Sequence, residues 1–293
     1  VNLSGEENQS VRRLFDKGVV IPPQPRVLHE LQDQLAKGVA DVRVLARTIG
    51  QDPGIAAMLF KIVQSAVYQP YQPFSSLEDI LQAVGLKQTG NLVTAIALTQ
   101  SLPAKHNRKA FESYWARSKA VAELAMLIAE ERVAVCNIFP EQAYMAGIFH
   151  DCGVPLMLQR FPNYMTVLEE AYASASPECR VVDTENRVFN TNHAVVGYFT
   201  ARSWRLPEHL CEAIANHHNL LAIFTEDSSR NARLKTLLAI LKMAEHICGC
   251  HRVLGKQVED HEWAVLQPTV LEYVGFSEYD FENFMDSLNE LGV

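Results

Sequence analysis

The sequence has no stretch that could cross a membrane and no excess of basic residues. None of its 293 residues lies in a run of roughly 18 apolar residues, the length that a transmembrane helix needs, and the first residues lack the apolar core of a signal peptide. The 26 basic side chains are outnumbered by 34 acidic ones, which gives a formal net charge of −8. Nucleic acids and anionic membranes both require a basic face. We therefore expect a cytoplasmic protein that binds neither nucleic acid nor membrane.

Cysteine is scarce and scattered. The six cysteines are Cys136, Cys152, Cys179, Cys211, Cys248 and Cys250. Most lie in apolar segments with helical periodicity, which is typical of reduced, packed thiols and not of a secreted disulfide framework. Only the last two lie close together, in the run HICGCH at 246–251. This run could ligate a metal, but no second cysteine pair stands at zinc-finger spacing, so we favour a helix C-terminus broken by Gly249.

Alternating strand patterns are nearly absent, and apolar residues recur at helical spacing along most of the chain. The predicted fold class is therefore all-α. Capping residues mark three early helix starts: Asp41, Asp52 followed by Pro53, and Ser75 with Glu78 in a capping box. Later helices are predicted over residues 111–132, 141–150, 156–173 with a break at Pro162, 193–203, 207–218, 231–248 and 278–291.

A polar, basic segment divides the chain. It has the sequence KHNRK at 105–109 and follows directly after a proline and an alanine. Such a composition is typical of a connection between two packed units. We predict an N-terminal helical bundle over residues 11–103 that packs on a larger helical domain over residues 110–292.

A histidine–aspartate pair is the strongest chemical signal. His150 and Asp151 end a predicted helix, where an imidazole nitrogen and a carboxylate oxygen can converge on one ion. Neighbouring predicted helices carry further ligand types at His193, His217, His218 and Glu245. These donors suit Fe, Mn, Mg or Zn, and a bound metal could activate water against a phosphoester. The simpler interpretation is that His193 and Glu245 are capping or surface groups and that His150 and Asp151 hydrogen-bond to each other.

Seven segments, in order, carry a resemblance to a known family. They are IPPQPRVLHEL at 21–31, IGQDPGIAAMLFKIVQSAVY at 49–68, FSSLEDILQAVGL at 74–86, YWARSKAVA at 114–122, AGIFHDCGVPLML at 146–158, NHAVVGYFTARSWRLPEHLCEAIANHHN at 192–219 and LLAILKMAEHI at 237–247. Over residues 20–250 the chain resembles the HDOD family, the HD-related output domains of bacterial signalling. The resemblance implies a signalling partner, with a receiver or a cyclic-nucleotide module in the same pathway.

The second half of that family resembles the HD metal-dependent phosphohydrolases, including the HD-GYP enzymes that open cyclic di-GMP. The resemblance places the enzymes' first histidine at Arg117, their HD pair at His150 and Asp151, their later histidines at His193 and His217, and their final aspartate at Glu245. A guanidinium is permanently charged and binds no metal ion. The GYP extension is also missing, because the histidine pair is followed by NLLAIFTED. These departures imply a degenerate site that could hold one divalent ion but not two.

Two functions follow from the resemblance. We expect a non-catalytic signalling module that acts through protein contacts and needs no cofactor, in which Arg117 lies within hydrogen-bonding reach of Asp151 or Glu245. The alternative is a metal-dependent phosphohydrolase acting on a cyclic dinucleotide or a nucleotide phosphoester, with a single Fe, Mn, Mg or Zn ion.

Overall fold

The structure is a computed structural model that describes residues 21–22, 24–38, 41–64, 74–101, 108–176, 178–225 and 232–291. Throughout these residues the regular elements are helices, and the β pairing is limited to an isolated bridge between Ser176 and Cys179. The predicted all-α class is confirmed. Among the described helices, none combines the length and the apolar character that crossing a bilayer requires.

The N-terminal half begins with short helices. In the described residues before 102 these are α1 (Arg26–Ala36), α2 (Val42–Ile49), α3 (Pro53–Val63), α4 (Leu77–Val84) and α5 (Leu86–Ser101). The predicted caps of α2 and α3 are confirmed, since the side chains of Asp41 and Asp52 each accept backbone N–H hydrogen bonds. The predicted capping box at Ser75 and Glu78 is wrong by one residue. Ser76 is the N-cap of α4 and exchanges hydrogen bonds with Asp79, whose carboxylate also accepts from the Ser75 hydroxyl at 2.6 Å.

The second half is built from helices of 4 to 24 residues. Its described helices are α6 (Arg108–Glu131), α7 (Val133–Cys136), α8 (Pro140–Phe149), α9 (Val154–Arg160), α10 (Tyr164–Ala173), α11 (Val181–Phe189), α12 (His193–Ser203), α13 (Glu208–Asn216), α14 (Leu220–Thr225), α15 (Ala232–Cys248), α16 (Cys250–Gly255), α17 (His261–Val274) and α18 (Glu278–Leu291). The periodicity missed α11 because its buried face includes Thr184 and Glu185. It missed α17 because Pro268 lies inside that helix.

Both halves contribute to one apolar core. Buried side chains of α5, such as Ile96, belong to the same packed cluster as buried side chains of α6 and α8, such as Ile128 and Met145. Trp204, at the end of α12, is buried and its indole N–H donates a 2.9 Å hydrogen bond to the carbonyl of Pro22. Residues 11–20 and 102–107 lie outside the described part, so the division into units 11–103 and 110–292 stays a prediction.

A close approach between α9 and α12 positions the histidine–aspartate pair. A Cβ atom on Gly153 would lie 2.0 Å from the carbonyl oxygen of His193 and 2.8 Å from the amide nitrogen of Gly197. Backbone atoms at these distances cannot yield as a flexible side chain does. Glycine at this position therefore allows the turn after Asp151 to pack directly against the start of α12.

We expect Gly153→Ala to destabilise the protein by about 3 kcal/mol or more, because the added methyl group overlaps backbone atoms of α12. Urea unfolding monitored by circular dichroism measures the effect. Gly54→Ala is the matched control, since a Cβ there meets mainly the tip of the Gln100 side chain at 3.1 Å. Equal unfolding midpoints for the two variants would contradict the close packing of α9 on α12.

Candidate metal centre

Three helix ends and one helix interior bring the predicted ligands together. His150 caps the C-terminus of α8 with Asp151 next to it, His193 begins α12, and His217 caps the C-terminus of α13. Glu245 lies in the last two turns of α15. All five side chains are buried. The structure thus brings together every residue that the resemblance assigned to the HD site.

Asp151 lies at the centre of this group. Its Oδ2 is 3.3 Å from Nε2 of His150, and its Oδ1 is 3.3 Å from Nε2 of His193 and 3.6 Å from Nε2 of His217. The Nε2 atoms of His193 and His217 are 3.1 Å apart. Metal–ligand bonds of about 2.0–2.1 Å place neighbouring ligand atoms about 3–3.3 Å apart. The contacts of the three imidazole nitrogens with the two oxygens of Asp151 are therefore close to the spacing of neighbouring ligands around an ion.

The opposite ring nitrogens hold each imidazole in place. Nδ1 of His150 and Nδ1 of His217 lie 2.6 Å and 2.7 Å from backbone carbonyl oxygens of their own helices. Nδ1 of His193 lies 2.8 Å from a carboxylate oxygen of Glu185. In metal sites such contacts fix the tautomer and aim Nε2 at the ion. Glu185 was missed by sequence reasoning because it lies in the unpredicted α11.

The pKa values of His193 and His217 are shifted in opposite directions. Burial opposes protonation of His193, but attraction from Glu185 and Asp151 outweighs it and raises the pKa of His193 to about 9. Burial and the neighbouring His218 lower the pKa of His217 to about 4. At neutral pH the charged His193 can therefore donate from Nε2 to the neutral His217.

A buried lysine is the main feature that sequence reasoning missed. Nζ of Lys242 lies 2.6 Å from a carboxylate oxygen of Glu245 and donates a 2.6 Å hydrogen bond to Glu262. Burial opposes the lysine charge, but attraction from these two carboxylates outweighs it and raises the pKa of Lys242 above its ordinary value. The available signal was a charged residue in the apolar helix segment LLAILKMAEHI, three positions before Glu245.

Arg117, on α6, also lies in the cluster. Its Nη2 is 3.9 Å from Oδ2 of Asp151, and only 8% of its side chain is exposed. The predicted hydrogen bond to Asp151 or Glu245 is wrong. Arg117 and Asp151 form an ion pair whose separation of 3.9 Å is too long for a hydrogen bond. The reason is that three imidazoles already surround the carboxylate of Asp151, while Lys242 supplies the counter-charge for Glu245.

His218 adds one more donor. Its Nδ1 lies 3.0 Å from Glu262, whereas its buried Nε2 has no hydrogen-bond partner among the described residues. The ring centroid of His218 lies 4.3 Å from that of His217 and 5.1 Å from that of His193. One ligand atom from each of these three histidines fits within 4.8 Å of the others.

The sequence model of the HDOD domain family matches residues 21–220, about two thirds of the chain. The chain belongs to the HDOD family. An uncharacterised protein of Treponema pallidum (strain Nichols) is 24% identical over 200 residues. This alignment covers 68% of the present chain but only 38% of that protein, so the chain spans well under half the length of this relative.

Solved structures share the fold. An HDOD domain protein of unknown function from Geobacter sulfurreducens is 23% identical, with a TM-score of 0.67 over 97% of this chain and 94% of that one. A protein of Shewanella amazonensis SB2B, provisionally named a metal-dependent phosphohydrolase, is 18% identical, with a TM-score of 0.69 over 94% of each chain. At these identities the similarity shows the HDOD fold.

The donors of this HDOD chain fit one divalent ion better than two. His150, Asp151, His193 and His217 present three aimed nitrogens and a carboxylate, which suits one Fe, Mn or Zn ion. A second ion would need free carboxylate oxygens beside it. Of the two oxygens of Glu245, Oε2 lies 2.6 Å from Nζ of Lys242 and Oε1 lies 3.6 Å from Nε2 of His150. A guanidinium stands where the resemblance places the first ligand of the enzymes.

Proposed function

We propose that this HDOD chain is a non-catalytic signal-transduction module that acts through protein–protein contacts. The observation that carries the proposal is the buried pairing of two protein cations with carboxylates of the HD site: Arg117 with Asp151, and Lys242 with Glu245. In two-metal hydrolases, metal ions occupy this electrostatic role and pull on the attacking and leaving oxygens. Here lysine and arginine side chains neutralise the carboxylates and leave the helical scaffold intact.

The burial of the cluster supports the same proposal. The side chains of His150, His193 and Asp151 are 2%, 1% and 6% exposed. A phosphoester must reach the reacting centre directly, and these atoms are covered by the packed helices. A scaffold used for binding has no such requirement. Suitable partners are other signalling proteins, including a receiver or a cyclic-nucleotide module, and not nucleic acid or a membrane.

One observation favours a second candidate, a mononuclear phosphohydrolase acting on a cyclic dinucleotide or a nucleotide phosphoester. The fixed Nδ1 contacts leave the Nε2 atoms of three imidazoles facing the carboxylate of Asp151, as in resident metal sites. His150, Asp151, His193 and His217 would hold the ion, which would act as a Lewis acid and lower the pKa of water. His193 would be kept in orientation by Glu185.

Metal analysis separates the two candidates. Protein purified without chelator is compared with a His150→Ala variant by mass spectrometry of its metals, with circular dichroism as the control for folding. The signalling proposal predicts that the two proteins carry the same amount of Fe, Mn and Zn. Stoichiometric metal that disappears in His150→Ala would favour the hydrolase.

A further inference from the structure

A second cluster of metal-ligating side chains lies outside the HD site. We propose that His246, His251 and Asp260 form a Zn²⁺ site that is independent of the HD cluster. Oδ2 of Asp260 lies 2.9 Å from Nδ1 of His246 and 3.4 Å from Nδ1 of His251. One ligand atom of each residue lies within 4.8 Å of the other two.

The helix break after Cys248 brings the two histidines together. Gly249 has a φ of +70°, so α15 ends there and α16 starts in a new direction. The imidazole of His251 consequently lies parallel to that of His246, with 5.9 Å between ring centroids and 10° between planes. The predicted helix end at Gly249 is therefore confirmed, and the same break places two histidines of the HICGCH run beside one carboxylate.

The three side chains are held in position by contacts outside the cluster. Asp260 is the N-cap of α17, and its Oδ1 accepts a 3.1 Å hydrogen bond from the backbone N–H of Trp263. Its other oxygen, Oδ2, is thereby turned toward the imidazoles. The ring of His246 stacks on the indole of Trp263, at 4.7 Å and 16°. A site with fixed ligands loses little entropy when an ion binds.

One buried nitrogen of the cluster has no hydrogen-bond partner among the described residues. His246 and Asp260 form a hydrogen bond, but Nδ1 of His251 is buried and makes none among the described residues. It nevertheless points toward Oδ2 of Asp260 at 3.4 Å. This separation matches that of neighbouring ligand atoms in a tetrahedral zinc site, about 3.3 Å for bonds of about 2.0–2.1 Å.

The donor set and its exposure specify the kind of site. Two imidazole nitrogens and a carboxylate oxygen are common zinc ligands, and three protein ligands leave a fourth position for water. The side chains of His246, His251 and Asp260 are 24%, 12% and 14% exposed, so an ion can enter from solvent. None of the three belongs to the HD cluster. Substitutions can therefore remove the ligands of one site and leave those of the other in place.

Isothermal titration with ZnCl₂ tests the site in a His150→Ala background, which removes one donor of the HD cluster. We expect one Zn²⁺ to bind at His246, His251 and Asp260 in this background. Adding His251→Gln should weaken the Zn²⁺ affinity by at least about tenfold, because even the loss of an outer contact costs a zinc site about 10–100-fold. Adding Asp260→Asn should have the same effect, while the asparagine side chain can still cap α17.

His29→Gln is the matched control, because His29 lies on α1 with 47% of its side chain exposed. It should leave the Zn²⁺ affinity unchanged. Co²⁺ provides a second readout: the visible absorption of a tetrahedral complex should appear in the His150→Ala protein and vanish with His251→Gln. The proposal is overturned if the His150→Ala protein binds no Zn²⁺ at micromolar concentrations, or if a folded His251→Gln variant binds it as tightly as its parent.

Discussion

Lys242→Met is expected to destabilise the protein by about 3–5 kcal/mol. The methionine keeps most of the volume of the side chain but removes the charge that lies 2.6 Å from both Glu245 and Glu262. Removal of one partner from a buried ion cluster leaves uncompensated charge in a medium that solvates it poorly, and the cost is of this size. Equilibrium unfolding in urea, with the slope of the transition checked for two-state behaviour, measures the change.

Two further variants make this test specific. Lys119→Met removes an exposed lysine that lies 3.2 Å from Glu123, and it should change the stability by at most about 0.5 kcal/mol. Combining Lys242→Met with Glu262→Gln should recover part of the lost stability, because one of the two facing carboxylate charges is then also removed. If Lys242→Met were as stable as Lys119→Met, the buried lysine would not compensate the site.

Arg117→Ala is expected to cost about 3 kcal/mol or more. The guanidinium is almost fully buried, and its Nη2 lies 3.9 Å from Oδ2 of Asp151. Its loss leaves the buried carboxylate dependent on protonated histidines and also removes the packing of a long side chain. The measurement is again urea unfolding. Arg26→Ala is the control, because the Arg26 side chain is 88% exposed although its Nε lies 2.6 Å from Glu30.

Arg117→His tests whether a metal ligand at this position increases metal binding. It restores the ligand type of the HD hydrolases, and it should raise the affinity of the HD cluster for Mn²⁺ relative to the parent protein. Dialysis against Mn²⁺ followed by metal analysis measures the difference, with Arg117→Ala as the control that lacks both charge and ligand. An Arg117→Ala variant as stable as Arg26→Ala would refute the view that arginine stabilises the degenerate site.

The fold and the site's residues could be predicted from sequence because they depend on local signals. Helical periodicity indicated the all-α class, and the HD pair with its later histidines stood in family order. Arg117, His150 and Glu245 all lie in the cluster as expected. The capping box was misplaced by one residue because adjacent serines at 75 and 76 offer equivalent caps, and only the backbone conformation of Ser76 selects between them.

The charge balance of the site could not be predicted, because it depends on side chains that meet only through packing. Glu262 reaches Lys242 from a helix 20 residues further along the chain, and Glu185 reaches His193 from α11. Neither contact has a periodic signature. Lys242 itself is evident in the sequence of α15. An isolated lysine in an apolar helix is, however, equally compatible with a side chain that reaches solvent.

The most direct measurement of the central claim is hydrolysis by protein loaded with Mn²⁺ or Fe²⁺. Cyclic di-GMP and bis-p-nitrophenyl phosphate serve as substrates, and the Asp151→Asn variant is the control. If Arg117 and Lys242 take the electrostatic place of the metals, the parent protein should release no more product than Asp151→Asn. Turnover in the ordinary enzymatic range of about 1–10³ s⁻¹ that is abolished by Asp151→Asn would contradict the account.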